Sequence, residues 1–157
     1  MTAGGSSLPE VQRLLAVLAA GRRCAEIGTA FGEGAVAIAS TAASLVTVER
    51  DPDRAALAEK RLRDLGNVRL FVGDWRDVLP PLGPFELVFF DGGRFDEAPD
   101  ALDLVAPHGL IVKDDLSPGR AIAEDPVRKV LFGHPELLAV QLLTTPSTAA
   151  IVAVRRL

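Results

Sequence analysis

The sequence predicts an α/β, doubly wound, mostly parallel sheet on three observations. Short apolar runs alternate with helix-period segments five times along the 157 residues. The runs are apolar on both faces, as strands buried between two helical layers must be. The first run passes into Gly28, and the other four end in acids at Glu49, Asp74, Asp91 and Asp114-Asp115. A last pair of β-rich runs, Leu137–Leu143 and Ala149–Val154, surrounds Thr144-Thr145-Pro146-Ser147 and adds an antiparallel hairpin at one edge, making seven strands.

Each element follows from local pattern. Leu8, Val11, Leu14, Leu15 and Leu18 recur at helical spacing after Ser7, a candidate N-cap, so Leu8–Ala20 reads as a helix ending at Gly21. Cys24–Ile27 is strand one, Gly34–Ala43 an alanine-rich helix and Leu45–Glu49 strand two. Asp51 and Pro52 supply the N-cap and first position of a helix that Gly66 closes. Val68–Val72 is strand three, running into Gly73-Asp74-Trp75 and a short helix over Arg76–Leu79. Phe85–Phe90 is strand four, followed by a helix over about Glu97–Val105 and a turn at Pro107-His108-Gly109. Leu110–Lys113 is strand five, and Ala121–Phe132 a helix interrupted near Pro126.

Composition narrows the function classes. The length suits one domain, expected over residues 8–157 behind a disordered tail of residues 1–7. No apolar run approaches the roughly 18 residues of a membrane span, and no charged-then-apolar leader opens the chain. The lone Cys24 sits in an apolar strand and forms no internal disulfide, which points to the cytoplasm. Net charge is −4 and the basic residues are scattered, so nucleic acid is not an expected partner. The seven Phe fall mostly in apolar runs and read as core.

The stretch Cys24–Gly34 carries the chemistry. Its glycines fall as Gly28-x-x-x-Gly32-x-Gly34 with Glu26 two places before the first, whereas a dinucleotide fingerprint is G-x-G-x-x-G. A dinucleotide sets a pyrophosphate on the helix N-terminus. S-adenosylmethionine has no phosphate and offers a sulfonium, an ammonium and a carboxylate, which suits a loop with an acid beside it. The plainer reading is a strand-turn-helix junction that uses glycine only for its turn.

Taken together, Glu26-x-Gly28-x-x-x-Gly32, Val-Glu49-Arg-Asp-Pro, Gly73-Asp74 and Phe-Phe-Asp91-Gly resemble the class I S-adenosylmethionine-dependent methyltransferases, most of all the catechol O-methyltransferase-like group. The resemblance spans about Pro9–Leu157 and implies a Rossmann-like methyltransferase fold and O-methyl transfer to a small-molecule hydroxyl. It places the loop of Gly28, Thr29, Ala30 and Gly32, with Glu26, against the methionine part of the cofactor. It gives Glu49, with Arg50 beside it, the ribose hydroxyls. Asp74 would take the adenine amino group, Trp75 would wall the ring, and Asp91 would face the reacting centre. Helix-capping is the plainer reading of Asp74, and a solvated strand end that of Glu49.

Asp91, Asp114 and Asp115 fall where metal-dependent relatives hold a divalent cation with two Asp and an Asn, so the resemblance implies a Mg²⁺ or similar site. Asp-Asp before Ser-Pro-Gly is also ordinary loop chemistry. The chain departs from that group at Arg94, where relatives carry a Lys base. Arginine stays protonated, so Arg94 is expected to stabilise an oxyanion or bind an acidic acceptor, with Lys113 a second candidate base. A single helix precedes the loop, so the acceptor pocket is expected to be open, with a homo-oligomer or another partner as a possible second wall. Two other classes stay open: a nicotinamide-dependent oxidoreductase, disfavoured by glycine spacing and the absence of Tyr, and a cofactor-binding module without catalysis.

Overall fold

The computed structural model describes residues 7–92, 94, 95 and 99–157. Its elements are α1 (Pro9–Ala19), β1 (Arg23–Ile27), α2 (Glu33–Ala39), β2 (Ser44–Glu49), α3 (Pro52–Leu62), β3 (Val68–Val72), α4 (Trp75–Val78), β4 (Phe85–Phe90), β5 (Val105–Leu116), α5 (Pro126–Gly133), β6 (Leu137–Thr145) and β7 (Thr148–Arg155). They build one sheet in the order β3-β2-β1-β4-β5-β7-β6. The first five of these strands pair parallel, and β7 pairs antiparallel with β5 and β6, as the doubly apolar runs and the terminal hairpin predict.

Alternate residues of the central strands feed two cores. Cys24, Leu45, Leu87, Phe89 and Val112 pack under α1, α2 and α3, while Ala25, Val48, Val88, Phe90 and Ile111 face α4, α5 and the 3-10 segment Pro99–Leu104. Leu87, Val88 and Phe89 are fully buried, which fixes β4 as the sheet's centre.

Several local expectations change. Ser7 does not cap α1: Pro9 takes the first helical position, so the cap falls on Leu8, and the buried Ser7 hydroxyl has no hydrogen-bond partner. Of the expected tail, residues 1–6 lie outside the described residues, and Ser7 is buried. Helix α2 begins at Glu33 and stops at Ala39, where the Ser40 hydroxyl turns back to the Ala37 carbonyl at 2.6 Å. The helix expected over Glu97–Val105 falls partly outside the described residues, and its described part is a 3-10 turn that gives way to β5 at Val105. Pro107-His108-Gly109 is a bulge within β5 rather than a turn before it. Pairing with β4 jumps from Phe85↔Val105 to Leu87↔Leu110, and His108 takes φ 62°. The interrupted helix is a 3-10 turn, Ile122–Glu124, then α5, whose cap Asp125 accepts from the Val127 and Arg128 amides.

Candidate active site

The sheet order reverses between β1 and β4, and in open α/β sheets ligands bind beyond the carboxyl ends of the strands at that point. A cavity of about 530 Å³ opens there. It draws on all five parallel strand ends: Gly28 and Ala30 after β1, Glu49 and Arg50 after β2, Gly73, Asp74 and Trp75 after β3, Asp91, Gly92 and Arg94 after β4, and Asp115 in β5. That volume lies within the range of small-molecule and cofactor sites.

The glycine turn is set by backbone geometry. Gly28 has φ 89°, and a Cβ there would come within 2.5 Å of the Gly92 nitrogen. The loops after β1 and β4 touch because the Asp91 and Gly92 amides both donate to the Ile27 carbonyl, at 3.0 and 2.7 Å. Only glycine fits that crossing. Gly32, also at φ 89°, starts α2. Ala30 takes φ 49° without being glycine, and its amide donates to Glu49 Oε2 at 2.8 Å. Glu49 Oε1 accepts from the Asp51 amide at 2.9 Å, so this buried carboxylate braces the loop while lining the cavity.

Asp74 both caps and lines. Its Oδ1 accepts from the Arg76 amide at 2.9 Å, and Oδ2 pairs with Arg76 Nη1 at 3.4 Å. The Arg76 guanidinium lies 5.2 Å from the Trp75 ring centroid, and Trp75 stands edge-on to Phe90. Glu26, Thr29 and Gly32 do not line the cavity. Glu26 is fully buried in the layer beneath, where Oε2 accepts from the Thr47 hydroxyl at 2.6 Å and Thr47 in turn meets Thr29 at 2.6 Å. Glu26 Oε1 has no hydrogen-bond partner, and burial pushes the carboxyl well above its ordinary range.

Three acids meet beside the cavity: Asp91 and Asp115 line it, and Asp114 lies buried behind them. One oxygen from each of Asp91, Asp114 and Asp115 lies within 4.8 Å of the others. Both Asp114 oxygens are buried without a hydrogen-bond partner. Burial and the neighbouring Asp91 and Asp115 raise the Asp114 carboxyl to about 7. Burial raises Asp91 to about 6, against the pull of Lys113. Asp115 reaches the cavity from φ 56°, at an irregularity in β5. Arg94 is exposed at the same end, while Lys113 is half-buried beside Asp91 and does not line the cavity. Among the described lining residues there is no His, Cys, Tyr or Lys.

Sequence reading missed two contributors. Arg54 and Arg76 line the cavity as well, the first carried there by the opening turn of α3 and the second by α4.

A sheet of this order, with a glycine loop and an acid at the end of strand two around a cavity at its switch point, has the layout of a nucleotide-type ligand site, and comparison identifies the family. A methyltransferase domain family matches residues 25–116. The chain is 30% identical to a catechol O-methyltransferase of Niastella koreensis over 158 aligned positions, covering 89% of this chain and 70% of that one. It is 34% identical over 89 positions to a protein-L-isoaspartate O-methyltransferase of Protochlamydia amoebophila, covering 55% of this chain but 42% of the relative's length. The O-methyltransferase TomG of Streptomyces achromogenes, involved in tomaymycin synthesis and solved with S-adenosylmethionine, superimposes with a TM-score of 0.76 at 27% identity over 99% of this chain and 83% of its own. The chain belongs to the S-adenosylmethionine-dependent O-methyltransferase family.

Proposed function

We propose that this methyltransferase acts on a hydroxyl of a small-molecule acceptor, with a divalent cation held by Asp91, Asp114 and Asp115. The observation that carries this reading is Asp114, whose two buried, unpartnered oxygens sit within reach of two further carboxylates at the rim of the cavity. Burying a carboxylate without partners is costly, and a hard cation removes the cost. Oxygens up to 4.8 Å apart can share one ion, because opposite ligands lie about 4–5 Å apart across Mg²⁺ or Ca²⁺.

When bound, S-adenosylmethionine supplies a methyl group on sulfonium, and the cation lowers the pKa of an acceptor hydroxyl. The chain does the rest by placement. Gly28 and Gly92 leave room for the methionine end, and Glu49 has accepting capacity beyond its two amide bonds for the ribose hydroxyls. Asp74 and Trp75 flank the adenine, with Arg50 at the rim. Thr29, Gly32 and Glu26 shape the loop from beneath. Arg94 holds a fixed positive charge near the acceptor oxygen and takes no proton. With no His, Cys, Tyr or Lys among the described lining residues, Asp91, Asp114 and Asp115 would hold the cation that lowers the hydroxyl's pKa, and the proton released on methylation would pass to solvent water beside the exposed Asp115.

Four arginines, Arg50, Arg54, Arg76 and Arg94, line the cavity of a chain whose net charge is −4. Arg50, Arg54 and Arg76 stand with Glu49, Asp74 and Trp75 at the cofactor end, so Arg94, beside Asp91 and Asp115, is the one placed to favour an acceptor that carries a carboxylate, and phenolic acids should outperform plain catechols. The same acidic balance speaks against a nucleic-acid acceptor, and the lone buried Cys24 suits a reducing cytoplasm. No described helix is long and apolar enough to cross a membrane. A second copy of the chain is the proposed partner, meeting the first along the edge strand β6.

Methyl transfer to a panel of catechols and phenolic acids tests the reading. Activity should fall with EDTA, return with Mg²⁺ and be lost in Asp114→Ala. Full activity in EDTA would remove the cation and leave positioning of the acceptor as the main source of rate. Cofactor binding without turnover on any acceptor would instead favour a module that has lost its chemistry.

A further inference from the structure

Among the described residues Arg128 is the largest fully buried side chain, 1% exposed, and a buried guanidinium is tolerated only when its donors are satisfied. Here they are. Nη1 pairs with the α5 cap Asp125, Nε donates to Gln141 Oε1 of β6 at 2.9 Å, and Nη2 donates to the Ser117 carbonyl at 2.6 Å. Gln141 completes the clamp by donating through Nε2 to the Pro118 carbonyl at 3.2 Å. Helix α5 and strand β6 thus grip two successive carbonyls of the loop that leaves β5.

That loop begins directly after Asp114, Asp115 and Leu116. The β5–β7 pairing there is irregular, with the register shifting between Lys113 and Leu116 and Asp115 at φ 56°. The ladder holds Lys113 and Leu116 but neither aspartate between them. Fixing Ser117 and Pro118 from the far side closes the span on both ends. A buried ion pair adds little net stability over apolar packing, so what this one supplies is the position of the backbone it holds.

We propose that Arg128, assisted by Gln141, is a positioning residue that sets the spacing of Asp114 and Asp115 against Asp91 and thereby the affinity of the cation site. This rests on the reading of those three acids as cation ligands. Outer residues that orient ligands typically change metal affinity by about 10–100-fold when replaced.

Mn²⁺ binding, read by electron paramagnetic resonance on the full chain, tests it, with S-adenosylmethionine affinity and thermal unfolding as parallel readouts. Arg128→Lys keeps the charge beside Asp125 but cannot reach all three acceptors, and should weaken Mn²⁺ by about tenfold or more. Gln141→Met, a gentler change at a half-buried position, strips the acceptor from Arg128 Nε and the donor from the Pro118 carbonyl, and should weaken Mn²⁺ several-fold and lower the unfolding midpoint with cofactor affinity unchanged. Unchanged Mn²⁺ affinity in Gln141→Met and in folded Arg128→Lys overturns the positioning role while the cation reading stands. If Arg128→Lys does not fold, Gln141→Met alone decides. Wild type that binds no Mn²⁺ overturns the cation reading and this inference with it.

Discussion

Glu26 illustrates how one residue can be conspicuous in the sequence and take a different place in the structure. Two residues before the glycine turn it reads as a cofactor contact, yet it lies fully buried, bonded to Thr47, with Oε1 unpartnered. Burial holds its carboxyl protonated well above the ordinary range, while in the unfolded chain it ionises near pH 4.3. Below that pH both states carry the proton and stability is unaffected. As pH rises above it, the unfolded chain releases a proton that the folded chain keeps, so wild type loses stability relative to a neutral mimic. Glu26→Gln should therefore unfold at the wild-type temperature near pH 3.5 and at a higher one at pH 7–8. Thermal denaturation across that range checks it, and a difference that stays constant with pH would contradict a buried, protonated acid. The signal that marks Glu26 in the sequence is real, because it supports the loop through Thr47 and Thr29, but spacing along a strand does not say which face a side chain takes.

At the scale of elements, the runs with a clear period were legible and the irregular ones were not. Strands β1 to β4, the Asp51 and Pro52 start of α3 and the terminal hairpin stand where composition put them, because doubly apolar runs and caps are local signals. Strand β5 was read short, since Pro107-His108-Gly109 has turn chemistry. Burial of Val105, Gly109 and Ile111 carries the strand through it as a bulge. Beyond its cap partner Asp125, the clamp of Arg128 is not legible locally, because Ser117 and Gln141 lie 11 and 13 residues away. Strand β6 has a consequence of its own. It is an edge of nine residues without charge or proline, and it leaves Leu138, Val140 and Leu143 exposed. Edges normally carry charge or proline to prevent pairing, and a two-fold axis would set this strand against itself with no like charges opposed. Light scattering should report a dimer that Val140→Lys converts to a monomer. A monomeric wild type would end this proposal.

For the molecule as a whole, the glycine and the acids that close the five parallel strands gather at one cavity because a parallel sheet puts all its carboxyl ends on one side. That much followed from the sequence, as did the acids Glu49, Asp74, Asp91 and Asp115 at its wall. The arginine lining did not, since arginines on helices read as solvated faces until the chain is folded. Glu49 and the Gly28 turn are proposed to make this cavity the seat of S-adenosylmethionine. Titration calorimetry with wild type and Glu49→Gln, against S-adenosylmethionine and NADH, tests it most directly. Placing an amide donor among the Ala30 and Asp51 amides and the ribose hydroxyls should cost on the order of 1–3 kcal/mol, roughly tenfold or more in affinity. Wild type should bind S-adenosylmethionine and not NADH, and Glu49→Gln should bind it at least about tenfold more weakly. Equal affinity in the two proteins, or NADH binding in place of S-adenosylmethionine, would contradict it.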